Sequence, residues 1–213
     1  MWKRATLLCA GAVAALVIAG CGGQEQESEG GHPQGHVTSA TSAAPSAAQA
    51  GDHNEADVMF AHHMIPHHQQ AIEMSDIVLA KQGIDPRVTE LATAIKAAQG
   101  PEIAQMKGWL EQWGNPPMPP MDAGEGHGGH DMGGMSGMGM MSDEQMSALK
   151  NAEGVEASRL FLTGMITHHQ GAIDMAQDEI ERGKFPPAIE LARAIVKTQQ
   201  QEIDTMKGLL ETL

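Results

Sequence analysis

The chain has 213 residues, with 13 Lys and Arg against 27 Asp and Glu and a formal net charge of −14. So acidic a chain is not expected to bind nucleic acid, because phosphate binding needs clustered cations. Its 2 Cys exclude a disulfide framework and a cysteine-rich zinc module, and the lack of Tyr argues against aromatic stacking platforms. The 16 Met and 11 His are the unusual feature, since both residue types can bind metals.

Residues 1–20 are predicted to be a lipoprotein signal peptide. Two cations precede an apolar run over residues 5–19, which is long enough for a secretory signal but short for a spanning helix of about 20 apolar residues. The run leads into Ile-Ala-Gly-Cys, ending at Cys21, which resembles the bacterial lipobox. The alternative is an ordinary signal peptide or anchor helix with an incidental cysteine. We expect an exported protein, lipid-anchored through Cys21 on the extracytoplasmic side of the cell membrane.

Residues 21–54 are predicted to be a disordered tether, because Gly, Ser, Ala, Gln and Glu dominate them. The tether would hold the remaining domain, residues 55–213, near the membrane. Thiols tend to be oxidised outside the cytoplasm. A soft metal would therefore have to be held there by thioethers and imidazoles.

An internal duplication organises residues 55–213. The segment FAHHMIPHHQQAIEM at 60–74 returns as FLTGMITHHQGAIDM at 161–175. Downstream, residues 90–111 return at 190–211, with Glu-Leu-Ala, Gln-x-x-Glu-Ile and Met-Lys-Gly in common. The duplication divides the domain into repeat one (55–113), a Met/His/Gly-rich linker (114–141) and repeat two (142–213).

Each repeat is predicted to form two helices, because apolar residues recur at helical spacing and no strand-like alternation is seen. Glycines at 83 and 183 mark helix stops, and the prolines that follow at 86 and 186 mark restarts. The predicted helices are 56–81 and 86–113 in repeat one and 142–182 and 187–212 in repeat two. Two such hairpins predict an all-α, antiparallel four-helix bundle, with a kink at Pro66.

The first helix of each repeat carries the candidate metal ligands. A helix turns by 100° per residue, which places each His-His pair on the stripe that also carries core residues. The methionines three residues before the pair and six residues after it lie on the same stripe. His62, by contrast, should point to solvent. Buried imidazoles need partners, and a shared metal would supply one. The alternatives are hydrogen-bonded core histidines and methionines that only fill the core. The predicted ligands are His63, Met64, His67, His68, Met74, Met165, His168, His169 and Met175.

The second helix of each repeat places a carboxylate in the middle of its apolar face, at Glu102 and Glu202. A carboxylate there needs a partner, and the ring N–H of a facing histidine would suit. Direct metal ligation and a carboxylate that reaches water at the bundle end are the alternatives. The predicted supporting residues or additional ligands are Gln99, Glu102, Met106, Gln199, Glu202 and Met206.

The linker supplies further thioethers and imidazoles, in a sequence too rich in Gly and Pro to form a packed element. Mixed His and Met without thiolate favours copper, because nitrogen sites bind Cu(II) strongly and thioethers select Cu(I), with Ag(I) as its mimic. A plain low-complexity spacer is the alternative. The predicted auxiliary ligands are Met118, Met121, His127, His130, Met132, Met135, Met138, Met140 and Met141.

The strings Met-Ile-x-His-His-Gln-x-Ala-Ile-x-Met and Gln-x-x-Glu-Ile-x-x-Met-Lys resemble the bacterial family called domain of unknown function 305. The resemblance covers nearly all of residues 56–113 and 155–213. It implies a ferritin-like four-helix bundle, often exported, and for the CopM-like members a part in periplasmic copper binding and resistance. Repeat two departs from repeat one at Thr163 and Gly164, so its site would have fewer ligands.

Three functions are compatible with these features. We expect a surface lipoprotein that sequesters copper or passes it to an exporter or chaperone, without catalytic residues. A ferritin-like redox metalloenzyme is a second hypothesis, but di-iron bundles use helical Glu-x-x-His pairs, and here the only such spacing is Glu29 to His32, in the tether. A helical adaptor or pH-sensing bundle is the third.

Overall fold

The computed structural model describes residues 51–116 and 137–213. These residues form five helices and no strand, namely α1 (Glu55–Leu79), α2 (Pro86–Gln112), α3 (Asp143–Asn151), α4 (Gly154–Arg182) and α5 (Pro186–Glu211). None of these five is both long and apolar enough to cross a membrane. The predicted signal peptide and the lipidated Cys21 lie outside the described residues.

Helices α1 and α2 form one hairpin and α4 and α5 form the other, and the hairpins pack mainly through α1 against α4. This arrangement confirms the predicted all-α bundle of two duplicated hairpins. Short α3 packs on α4 and α1 at one side. The bundle therefore brings the first long helix of each repeat to its centre.

Local sequence explains where the helices begin and end. Asn54 caps α1 in a reciprocal capping box, and Ser142 does the same for α3. Gly83 has a φ of 73° in the turn before α2, a conformation that only glycine adopts without strain. Helix α1 runs on through Pro66.

The prediction of one helix over 142–182 is wrong, because the chain breaks between α3 and α4. Ala152 and Glu153 are extended, and Gly154 has a φ of 54°. At the break, the Lys81 ammonium donates to the Lys150 carbonyl oxygen at 2.8 Å, which helps to satisfy the end of α3. The break lets α3 turn onto the side of the bundle.

Two apolar clusters fill the bundle and a polar layer separates them. Along α2, Ile95 belongs to one cluster and Ile103 to the other, and Gln99 lies between; Gln199 has the same place on α5 between Ile195 and Ile203. The Phe161 cluster includes Ala71, Met74, Val78, Phe161, Leu162, Met165 and Met206. The Trp109 cluster includes Phe60, Met64, Met106, Trp109, Leu110 and Ala176.

Candidate metal centre

Four histidines lie between the two apolar clusters, and all four are fully buried. We call His67, His68, His168 and His169 the histidine layer. The His67 ring from α1 and the His168 ring from α4 have centroids 3.7 Å apart. The His168 and His169 centroids are 6.4 Å apart. The paired motifs of the two repeats thus meet at the bundle centre.

Hydrogen bonds determine which ring nitrogen carries the proton in three of these histidines. The Nε2–H of His67 donates to the Met138 carbonyl oxygen at 2.9 Å. The Nε2–H of His68 donates to Glu102 at 2.7 Å, and the Nε2–H of His169 donates to Glu202 at 2.6 Å. Because carbonyl and carboxylate oxygens only accept, Nδ1 carries the free lone pair in the neutral form of each ring.

Among the residues that the structure describes, these three buried Nδ1 atoms have no hydrogen-bond partner, and neither ring nitrogen of His168 has one. The buried side-chain oxygens of Gln99 and Gln199 likewise have no partner within this part of the chain. Buried polar atoms without partners cost about 1–3 kcal/mol each. Several of them in one layer are typical of a site whose ligand completes the bonding.

Both mid-stripe carboxylates contact the histidine layer. The side chains of Glu102 and Glu202 are 22% and 15% exposed, so each bridges a buried imidazole and the solvent-facing side of its helix. The predicted hydrogen bond to a facing histidine is therefore present in both repeats. A carboxylate in this position orients a ligating ring and makes it more basic. Their role toward a metal stays a prediction.

Burial keeps two rings of the layer, those of His67 and His168, uncharged. It lowers the pKa of His67 to about 3, with smaller contributions from the Met138 carbonyl, which raises it, and from His68 and His169, which lower it. Burial likewise holds the pKa of His168 well below its ordinary value, assisted by the neighbouring histidines. These two rings are therefore neutral at neutral pH, the form in which imidazole binds metals.

The end of the linker, residues 137–141, lies across α1 and α4, and we call it the strap. Gln70 clamps it, because its amide N–H donates to the Met141 carbonyl at 2.9 Å and its amide oxygen accepts from the Met141 N–H at 2.8 Å. A methyl group at Gly171 would overlap the Met138 carbonyl oxygen. The expectation that no part of the linker packs is thus wrong for the strap.

Two departures of repeat two from repeat one make room for this strap. Gly164 stands where repeat one has His63, and a methyl group there would lie 2.7 Å from the Met141 sulfur. Gly171 stands where repeat one has Gln70. Because both positions lack a side chain, the strap can pack against α4. Comparison of the two repeats already shows that these two side chains are missing from repeat two. Only the structure shows that the strap occupies the space they leave.

The remaining predicted ligands separate into several environments. Met64 and Met165 are buried, each one helical turn before a histidine of the layer. Met74, Met106 and Met206 are fully buried within the apolar clusters. His62 is half-buried and lies outside the histidine layer.

His63, Met138 and Met175 line a pocket of about 470 Å³ outside the layer. The prediction that Met175 matches Met74 is wrong, since Met175 is only partly buried and Met74 is fully buried. Met59, which sequence reasoning missed, lines the same pocket. It lies four residues before His63 on α1, a helical spacing that could have identified it. Burial of the His63 ring, assisted by His62, lowers its pKa.

Of the other predicted linker ligands, the structure describes only two. Met141 is buried against α4, and Met140 is half-buried. Neither one lines the pocket of His63. The predicted ligands Met118, Met121, His127, His130, Met132 and Met135 lie outside the described residues.

A buried carboxyl pair, also missed, joins the two hairpins near this pocket. Asp57 accepts from the backbone N–H groups of Lys184 and Phe185 at 3.0 and 2.9 Å. Burial raises its pKa, but hydrogen bonds from Asn54, Phe185, Glu179 and Lys184 together leave that pKa below its ordinary value. Burial, and next the contact with Asp57, raises the pKa of Glu179 to about 8. Glu179 is only 1% exposed, so at neutral pH it is mainly protonated and can donate to the Asp57 carboxylate.

The donors in the layer suit a soft metal ion. Within residues 51–116 and 137–213, no three His, Cys, Asp or Glu side chains are grouped around one point as a metal would need. The layer offers buried lone pairs on adjacent rings instead, with the Met64 and Met165 thioethers one turn away on the same helices. Few nitrogen donors with thioethers are the ligands that Cu(I) and Ag(I) accept.

Comparison with known proteins identifies a family and solved structures that are similar to this chain. Residues 57–210 match the family model described as domain of unknown function DUF305. A DUF305 fragment from Deinococcus radiodurans is 34% identical, covers 75% of this chain and 98% of its own, and has a TM-score of 0.65. A DUF305 protein from Streptomyces coelicolor, provisionally described as secreted, is 34% identical over 74% of this chain and 91% of its own, with a TM-score of 0.63.

Structures of CopM are also similar. The Cu(II)-bound form is 34% identical, covers 73% of this chain and 96% of its own, and has a TM-score of 0.59. CopM is also known in Cu(I)-bound and Ag-bound forms. A viral relative, uncharacterized protein L153 of Acanthamoeba polyphaga mimivirus, is 41% identical over 51 residues. The matched stretch is 34% of that protein and 24% of this chain.

Proposed function

We propose that this protein, which belongs to the DUF305 family, binds copper outside the cytoplasm without chemical turnover. Its cargo is Cu(I) or Cu(II), for which Ag(I) can substitute. The protein sequesters the ion or passes it to an exporter or chaperone, which lowers the concentration of free copper. In this proposal the protein is a metal-binding protein and not an enzyme.

One observation carries this proposal, the histidine layer with its partnerless ring nitrogens. Four histidines in the core cost stability unless something binds them. Hydrocarbon side chains of similar volume would fill the same space at lower cost. A bound cation accounts for the layer, because it takes the Nδ1 lone pairs that no donor of the described residues reaches.

The donor set favours copper over zinc. The described residues contain imidazoles and thioethers around the layer and no cysteine, whereas zinc sites favour thiolate, imidazole and carboxylate. Copper is also the metal in the Cu(II)-bound and Cu(I)-bound CopM structures, at 34% and 31% identity to this chain. The Ag-bound form of CopM supports Ag(I) as a substitute.

The residues in and around the histidine layer would have different roles in metal binding. The ion would be held by the free nitrogens of neighbouring rings among His67, His68, His168 and His169. Met64 or Met165 would add thioether sulfur. Glu102 and Glu202 orient two of the rings through the Nε2–H bonds. The Met138 carbonyl orients a third. The apolar clusters on both sides exclude water from the ion.

The predicted signal peptide and lipobox support a location at the outer face of the cell membrane. Cys21 would carry the lipid, and the tether would leave the bundle in solution near the membrane. Such a protein meets copper before it reaches the cytoplasm. The provisional description of the Streptomyces coelicolor relative as secreted agrees with this location.

Anaerobic titration of the purified full-length protein with Cu(I), Cu(II), Ag(I) and Zn(II), each against a competing chelator, tests the proposal. We expect copper and silver to be retained at micromolar concentration and zinc to bind more weakly. An oxidase assay on the copper-loaded protein should give no turnover. A protein that retains none of the copper or silver ions would overturn the proposal.

A further inference from the structure

We propose a second site, for a monovalent soft cation such as Cu(I) or Ag(I), in the pocket lined by Met59, His63, Met138 and Met175. We call it the methionine pocket. It deepens the proposed function and rests on it for the identity of the cargo. It lies outside the histidine layer, whose four histidines do not line it.

The pocket brings ligands together from three parts of the chain. Met59 and His63 come from α1, Met175 from α4 and Met138 from the strap, and together they line a space of about 470 Å³. Met59 and His63 are four residues apart on a helix, so their side chains lie on one face. Three thioethers and one imidazole match the donors that Cu(I) prefers.

Core packing does not explain these methionines. Met59 is 44% exposed, and Val155 is the only other large hydrophobic side chain as exposed within the described residues. Met175 is partly buried, although the equivalent Met74 of repeat one is fully buried in the Phe161 cluster. Thioethers that are held at a pocket wall instead of in the core remain accessible to an ion from solution.

Charge at the rim favours a cation. Glu55 and Asp178 line the pocket with Glu179 and Arg182. Arg182 is paired with Asp178, so the single cation at the rim is already neutralised. Exposed Glu55 then leaves the mouth of the pocket negative. The thioethers themselves are neutral, so a monovalent ion is bound without an excess of ligand charge.

Met138 connects the pocket with the histidine layer. Met138 lines the pocket, and its carbonyl oxygen accepts the His67 Nε2–H at 2.9 Å. An ion in the methionine pocket is therefore one residue away from the buried imidazoles. The pocket is placed to receive an ion before the layer does.

The test counts Ag(I) ions bound by the full chain, because Ag(I) has no redox chemistry under these conditions. The pocket variant is Met59→Leu with Met175→Leu. The matched control is Met146→Leu, at a methionine that is buried in the Phe161 cluster and is not among the predicted ligands. Met-to-Leu changes nearly conserve volume, so both variants should fold, and thermal unfolding checks this. Cu(II) binding is measured in parallel, since imidazoles hold that ion.

We expect the pocket variant to bind one Ag(I) fewer than wild type, or to bind it at least tenfold more weakly, with Cu(II) binding unchanged. The control should match wild type for both ions. In methyl-labelled protein, the NMR signals of Met59, Met138 and Met175 should shift together on addition of one Ag(I).

Unchanged Ag(I) binding in the pocket variant would overturn the second site and leave the proposed function intact. Wild type that binds Cu(II) but no Ag(I) would overturn the second site and also the substitution of Ag(I) for copper, while copper binding itself would stand. Wild type that binds neither ion would overturn both proposals. Loss of Ag(I) from the control but not from the pocket variant would place the thioether site in the core and would also overturn this inference.

Discussion

His67 and His168 lie with their ring centroids 3.7 Å apart at an angle of 39°, one ring from each hairpin of the bundle. The Nε2–H of His67 is bound to the strap, and neither nitrogen of His168 has a partner within residues 51–116 and 137–213. The contact between the two repeats therefore consists partly of imidazoles with free lone pairs. Because the same imidazoles form this contact and the proposed metal site, the stability of the bundle should depend on whether copper is bound.

This relationship predicts opposite effects of His168→Leu on stability and binding. Leucine has a similar volume and no polar atoms, so the variant removes two buried nitrogens without partners. The metal-free protein should become more stable by about 1–3 kcal/mol, measured by denaturant unfolding, while copper affinity falls. A variant that is less stable without metal would contradict the idea that the layer is strained in the absence of a cation.

The position of each histidine predicts its importance for copper. His67→Ala with His68→Ala should lower copper affinity at least tenfold, because it removes two of the four layer rings. His62→Ala should have little effect, since His62 is half-buried outside the layer. Competition titration measures both variants, and circular dichroism checks their helix content. Equal losses from the two variants would refute the assignment of the layer.

The carboxylates beside the layer should tune its affinity. Glu102→Gln keeps an oxygen that can accept from the His68 Nε2–H but removes the negative charge. Copper affinity should fall about 10–100-fold, as for other residues that orient a ligating imidazole. Glu111→Gln, an exposed position on the same helix, is the matched control. If both variants bind copper as wild type does, the carboxylate serves the fold alone.

The carboxyl pair between the hairpins predicts a dependence of stability on pH. The pKa of Glu179 is about 8, against an ordinary value of 4.5, so between these values the folded chain keeps a proton that the unfolded chain has lost. The contribution of Glu179 is complete below about pH 4.5 and is lost as the pH rises through about 8, with a slope of at most about 1.4 kcal/mol per pH unit.

Glu179→Gln should remove that loss, because an amide can donate to Asp57 at every pH. Denaturant unfolding between pH 5 and 9 measures the difference from wild type. Glu181→Gln, at an exposed position of the same helix, is the control and should keep the wild-type slope. The same slope in all three proteins would show that Glu179 is not protonated in the folded chain.

The packing of the strap on α4 predicts that alanine at one helical glycine lowers stability, although alanine normally favours a helix over glycine. Gly171→Ala should lower the free energy of unfolding by about 1–3 kcal/mol, because the new methyl group would overlap the Met138 carbonyl and displace the strap. Gly108→Ala has open space around it and should stabilise α2 by up to about 1 kcal/mol. Thermal unfolding compares the two. If Gly171→Ala is the more stable variant, the strap does not pack in solution as it does here.

Much of the bundle could be predicted from local sequence. The positions of Gly83 and Pro86, the cap at Ser142 and the repeated apolar stripes depend on interactions within a few residues, and the turns and helices follow them. The break before Gly154 was missed, because a glycine within a helical pattern is often tolerated. Its positive φ depends on how α3 folds back onto α1 and α4.

By itself the sequence determined that the chain is a duplicated all-α bundle with two His-His pairs on its inward faces, because helical periodicity and repetition are local properties. Only the tertiary structure decided that His67 meets His168, that the strap fills the space at Gly164 and Gly171, and that Met175 leaves the core for a pocket with Met59. These contacts join residues far apart in the chain. They depend on how the hairpins pack, which no local pattern records.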